Sequence, residues 1–179
     1  GSKDKYSHFL KLIKELPKKN TIVFAGQGKV EGERSIDYVS SKLDDNGWAH
    51  SRITAKENRK ERKSCIYGFQ RGDIDTICAI RVLDEGIDIP SIRTAIILAS
   101  SNKRRQFIQR RGRVLRKDND KEHADIYDFI VLPPAKFNDS GRDLINREMA
   151  RVKEMGLDAI NKKEVKEFMS NYEGLYDTF

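Results

Sequence analysis

The sequence predicts an α/β fold: a parallel sheet of about five or more strands, helices on both faces, and a C-terminal helical extension. Three observations carry this prediction. Short apolar runs at residues 21–25, 76–80 and 94–98 have the length and β-branched content of strands buried on both sides. Amphipathic helical patterns lie between the strands, as βαβ units require. After Pro133-Pro134 the strand patterns stop, and only helical stripes remain.

In order, Phe9, Leu10, Ile13 and Leu16 recur at helical spacing over 5–16, and Pro17 ends the pattern. The run TIVFA at 21–25 is the first strand. Gly26-Gln27-Gly28 follows and reads as a turn, since it lacks the third glycine of a dinucleotide fingerprint. Ile36, Val39 and Leu43 give a helix over 33–43, stopped by Asn46-Gly47. Residues 51–54 form a second strand. A highly charged helix over 56–70 turns Ile66 and Phe69 inward and closes at Gly72. The third strand is 76–80, the fourth 94–98 and the fifth 126–130, with a loop over 82–90. In the tail, Ile145, Met149, Val152 and Met155 line one helix, and Val165, Phe168 and Met169 a second, joined near Gly156. Stripes of this kind are packing faces first.

The chain has 179 residues with 35 Lys and Arg against 28 Asp and Glu, a formal charge of +7 that favours a polyanionic partner. Cys65 and Cys78 sit in apolar segments without metal-type spacing, so buried free thiols and a cytoplasmic, reducing setting are expected. The three histidines are scattered and read as structural or exposed. No apolar run is long enough to span a membrane, so no membrane partner is expected. Gly1-Ser2 reads as an expression scar, and the chain as a piece of something longer.

Residues 109–116, Gln-Arg-Arg-Gly-Arg-Val-Leu-Arg, hold four arginines in eight positions. On a helix over about 103–115, Phe107, Ile108, Val114 and Leu115 share one arc. Gln109, Arg113 and Arg116 fall within roughly 60° of each other on the opposite side. Two always-charged planar forks and an amide on one face suit polyphosphate oxygens. Gly112 inside that helix costs about 1 kcal/mol against Ala, which close approach of a backbone or ligand would offset. A solvated basic face is the plain alternative. Right-handed crossovers bring the loops after the strands to one edge of the sheet, where open α/β sheets bind ligands. Gln27, Arg81, Gly86, Asp88 and the arginine stretch all follow strand C-termini.

Two motifs now stand in order and at a fitting separation. Leu83-Asp84-Glu85-Gly86-Ile87-Asp88-Ile89-Pro90 resembles motif V of the superfamily 2 helicases, and residues 109–116 resemble their motif VI. Residues 21–27 are similar to motif IV. The likeness covers 20 to about 134, which is similar to the second, RecA-like domain of such enzymes. It leaves 1–19 as an N-terminal helix and linker, and 135–179 as a helical extension. A Gln opening motif VI, with L-D-E-G in motif V, looks more like the XPB-like and restriction-helicase DNA translocases than the DEAD-box RNA helicases.

The resemblance implies roles residue by residue. Arg113 and Arg116 would be arginine fingers reaching the γ-phosphate of ATP, held with Mg on a first RecA-like domain of the same polypeptide. Gln109, Gly86 and Asp88 would serve the nucleotide side. Gln27, Arg81 and Arg110 would contact nucleic acid, DNA rather than RNA. Many relatives carry Thr where Ile80 stands, so that backbone contact has passed to Arg81 or been lost. No G-x-x-x-x-G-K-S/T loop occurs in the sequence, no metal cluster stands out, and the piece alone should not hydrolyse ATP. Two other readings stay open: a RecA-like module that grips nucleic acid without motor activity, and an unrelated doubly wound regulator.

Overall fold

The computed structural model describes residues 2–80, 89, 91–98, 122–132 and 139–176. Its centre is a five-stranded, wholly parallel sheet. The strands are β1 (Thr21–Phe24), β4 (His50–Ile53), β5 (Thr76–Ala79), β6 (Thr94–Ile97) and β7 (Asp125–Asp128), in the spatial order β4-β5-β1-β6-β7. β1, β5 and β6 are buried at every position, as a sheet covered on both faces demands.

The pleat sorts the core into two layers. Ile22 and Phe24 of β1, with Ile77, Ala79, Ala95 and Ile97, face α3 (Arg59–Arg71) through Cys65 and Phe69. Val23 and Ala25, with Cys78, Ile96 and Leu98, face α1 (Ser2–Glu15) and α2 (Ser35–Asp45). On that side Tyr6, Phe9 and Ile13 of α1 meet Ile36, Val39 and Leu43 of α2, with Trp48 beside them. The helix at the N-terminus therefore belongs to the same packed unit as the sheet. The α/β architecture expected from the sequence, a parallel sheet with helices on both faces, is what forms.

A small hairpin, β2 (Lys29–Val30) and β3 (Glu33–Arg34), is additional to the elements read from the sequence. Its turn places Glu31 at φ 51° and Gly32 at φ 89°, the paired left-handed geometry of a two-residue hairpin loop. Val30 plugs the hairpin into the α1–α2 layer. The charged helix begins at Arg59 rather than at 56 because Asn58 caps it. The Asn58 side chain accepts from Lys60 N at 2.9 Å and Glu61 N at 3.0 Å, while Glu61 accepts from Asn58 N at 2.7 Å. Gly72 ends it, as expected.

The tail forms α4 (Asp139–Gly156) and α5 (Lys162–Tyr176), packed on each other. Ile145 and Met149 are buried, and Met155 reaches the α3-side core. Among the described residues, no helix is long and apolar enough to cross a membrane.

Candidate nucleic-acid interface

The candidate site is the carboxyl edge of the sheet, where parallel pairing aligns the strand ends. β1 is central, with β5 on one side and β6 on the other. The ladder runs one residue past each strand: Ala25 N donates to Ala79 O at 3.0 Å, Leu98 N to Phe24 O at 3.0 Å and Ile80 N to Ile53 O at 3.2 Å. Three connections therefore leave one rim side by side.

The connection after β1 carries Gln27, which is exposed. Its backbone is held from below. Gly26 N donates to Ser35 Oγ at 3.2 Å, Ser35 N to Gly28 O at 2.9 Å, and the Tyr6 hydroxyl meets Ser35 Oγ at 2.5 Å. Buried Ser35 thus ties α1, the start of α2 and this loop together, while Gln27 stays exposed. Arg34 of β3 and Arg52 of β4 are both engaged by Asp37, at 2.6 Å each. The hydrogen bond from Arg34 is the foremost cause holding the Asp37 carboxyl below its usual range.

The connection after β4 is built as a rigid turn. Thr54 donates to Glu57 Oε2 from its backbone N at 2.5 Å and its hydroxyl at 2.8 Å, and Arg62 donates to Thr54 O at 2.9 Å. Burial opposes the Glu57 charge, but the bonds from Thr54 outweigh it and hold the carboxyl below the ordinary value of 4.5.

The other predicted site residues, Arg81, Gly86, Asp88, Gln109, Arg110, Arg113 and Arg116, lie outside the described residues. Their flanks do not. The chain leaves β5 through partly buried Ile80 and is buried again at Ile89 and Ile92. It leaves β6 through Leu98, 3% exposed, and returns into β7.

A buried charge cluster, missed in the sequence, sits at the ends of β6 and β7. Lys5 Nζ donates to Leu98 O at 3.1 Å. Arg151 of α4 donates to Asp128 at 2.8 Å, to Glu148 Oε2 at 2.8 Å and to Phe129 O at 3.3 Å, and Glu148 accepts from Val131 N at 3.1 Å. Burial pushes the Asp128 carboxyl up, against the pull of Arg151, and pushes the Lys5 ammonium down. The one available signal was Arg151 itself, a charge one position from Val152 in an apolar stripe.

The two cysteines are free and buried, and burial raises Cys78 to about 12. Among the described residues, no group of His, Cys, Asp and Glu could hold a metal ion.

Residues 4–118, well over half of the chain, match the family model of the helicase conserved C-terminal domain. The chain belongs to that family. This helicase domain is 41% identical over 90 residues to a protein named DNA 3'-5' translocase XPB2 from Sulfurisphaera tokodaii, covering 50% of this chain and 20% of that one. It is 32% identical over 121 residues to the ATP-dependent RNA helicase DBP10 of Lodderomyces elongisporus, covering 67% of this chain and 12% of that one. The helicase domain thus spans a fifth or less of these relatives, which include both a DNA translocase and an RNA helicase. In structure it is similar to the C-terminal domain of the DEAD-box protein Dbp5, with a TM-score of 0.62 at 18% identity over 87% of this chain and 81% of that one. A TM-score of 0.62 also relates it to the C-terminal part of the Fun30 ATPase domain, at 15% identity over 84% and 53% of the two chains. At such identities the likeness concerns the fold, which is RecA-like. Within the chain, residues 4–118 are a helicase conserved C-terminal domain of the superfamily 2 type.

Proposed function

We propose that this domain completes an ATP site formed with a first RecA-like domain, and carries part of a nucleic-acid track, DNA rather than RNA. The observation that supports this reading most is the shared rim: β1, β5 and β6 are neighbours, and their carboxyl ends lead into Gln27, residues 81–88 and residues 99–121. In this reading residues 20–134 are the RecA-like unit, 1–19 its leading helix and linker, and 135–179 the extension. The work is that of an ATP-dependent translocase or helicase inside the cell.

The donors this chain brings to ATP are guanidinium groups, whose forks fit phosphate oxygens. Arg113 and Arg116 neutralise charge that develops on the transferring phosphoryl group, a contribution of about 10³–10⁵ in rate. Gln109, Gly86 and Asp88 position the nucleotide side, and Gln27, Arg81 and Arg110 hold the nucleic-acid backbone. Mg would be held mainly by the first domain, where it would supply charge neutralisation at the phosphates. Because fingers and phosphate cradle lie on different domains, hydrolysis requires closure, and closure moves the gripped strand.

The test uses the full-length protein. Arg113→Ala and Arg116→Ala should each abolish nucleic-acid-stimulated ATP hydrolysis while ATP still binds, and unchanged turnover in both would overturn the finger role. The 179-residue chain alone should show negligible turnover.

A further inference from the structure

The outer side of α3 takes no part in the reading above. At 100° per residue, positions 60, 64, 67 and 71 share one stripe, opposite the buried pair Cys65 and Phe69. Lys60, Lys63, Ser64, Ile66, Tyr67 and Gln70 line an open groove along it. Lys60 and Lys63 are exposed, and no ion pair joins either to a carboxylate among the described residues. Tyr67 is 61% exposed, with the Arg71 guanidinium 5.4 Å from its ring centre. Arg71 also pairs with Asp73 at 3.2 Å, so Lys60 on the stripe and Lys63 beside it are its open cations among the described residues.

We propose that this stripe is a second contact for single-stranded nucleic acid, with Lys60 and Lys63 on phosphates and Tyr67 stacked on a base. The proposal rests on the nucleic-acid reading of the carboxyl edge. α3 starts six residues beyond the carboxyl end of β4, so its first turn, with Lys60, lies at the same rim as Gln27. A strand that crosses the rim toward the β4 side continues down α3. Cations beside an exposed aromatic ring are the pair of contacts that single strands use, whereas a duplex hides its base faces. Lysine is depleted at the cores of protein–protein interfaces, and this groove is lined by two.

The experiment titrates the 179-residue chain with labelled oligo-dT, an abasic oligomer of equal length and a poly-glutamate peptide, at several salt concentrations. The doubly substituted Lys60→Gln/Lys63→Gln chain should lower the slope of log affinity against log salt by about 1.4, or 0.7 per phosphate contact. Tyr67→Ala should weaken oligo-dT about tenfold and leave the abasic oligomer unchanged, with Tyr67→Phe close to wild type. Unchanged slope and affinity in these variants, alongside a loss in Gln27→Ala, would overturn the α3 contact and leave the rim reading standing. A wild-type chain that binds neither oligomer would remove both. Equal loss of oligo-dT and the abasic oligomer in Tyr67→Ala would overturn the stacking, and tighter binding of poly-glutamate would make the stripe a protein-docking face.

Discussion

Arg151 donates from Nε to Asp128 Oδ2 at 2.8 Å, with the arginine side chain 3% and the aspartate 12% exposed. One arginine thereby joins the last strand of the sheet to the helical extension, and Glu148 on its own helix shares the charge. Pairs this deep owe little net stability to their attraction, since desolvation cancels most of it. Breaking one is another matter, because the partners are left charged and dry. Arg151→Met should destabilise the chain by about 3–5 kcal/mol in urea unfolding. Asp128→Asn should cost clearly less, because burial already disfavours that carboxylate's charge.

The α4–α5 corner is closed by a near contact. A Cβ at Gly156 would lie 2.7 Å from Val165 Cγ1 and 3.3 Å from its Cβ. Val has one stiff rotamer in a helix, so it cannot swing aside. Gly156→Ala should lose about 1–3 kcal/mol from overpacking, although helix propensity alone favours Ala by about 1 kcal/mol. Adding Val165→Ala should recover part of the loss, measured as a double-mutant cycle of melting midpoints.

Glu57 gives the rim turn a pH dependence of known sign. Its folded pKa lies below the ordinary 4.5, so its stabilisation is complete above that value and lost as pH falls through the folded pKa. The stability difference between wild type and Glu57→Gln should be flat from neutral pH down to about 5.5, then shrink in more acid solution. Raised Asp128 works the other way: its carboxyl costs stability as pH rises through its folded pKa, and acid relieves it. Chemical denaturation across pH reads both slopes.

The thiols should be silent in the folded chain. Cys78 is fully buried and lifted to about 12, and Cys65 is also raised by burial. Neither forms appreciable thiolate at neutral pH. Alkylation by iodoacetamide should follow unfolding, with Cys78 the slower, and fast labelling of Cys78 in native buffer would contradict its burial.

The sheet was legible because its strands are buried on both sides, and continuous apolar runs such as TIVF leave few alternatives. The helices followed from their stripes and their stops. The β2–β3 hairpin was not legible: each strand is two residues long, and Glu31-Gly32 is a weaker turn signal than Asn-Gly. The start of α3 could have been read from Asn58-x-x-Glu61 but was obscured by the charged residues before it. In the buried charge cluster the Glu148–Arg151 spacing is local, but Lys5 and Asp128 come from far along the chain, and no local pattern encodes their meeting. Of the candidate site, only Gln27 falls among the described residues. The other assignments, from Arg81 through Arg116, rest on the motifs and on the strand ends that lead to them.

Tyr6, Phe9 and Ile13 are 6%, 0% and 2% exposed, and each is worth about 1.5–3 kcal/mol of burial. Together they rival the few kcal/mol that keep a small domain folded. Trimming the chain back to the first strand would uncover a greasy sheet face and invite precipitation, so an expression boundary meant to isolate this lobe has to be placed ahead of the opening helix.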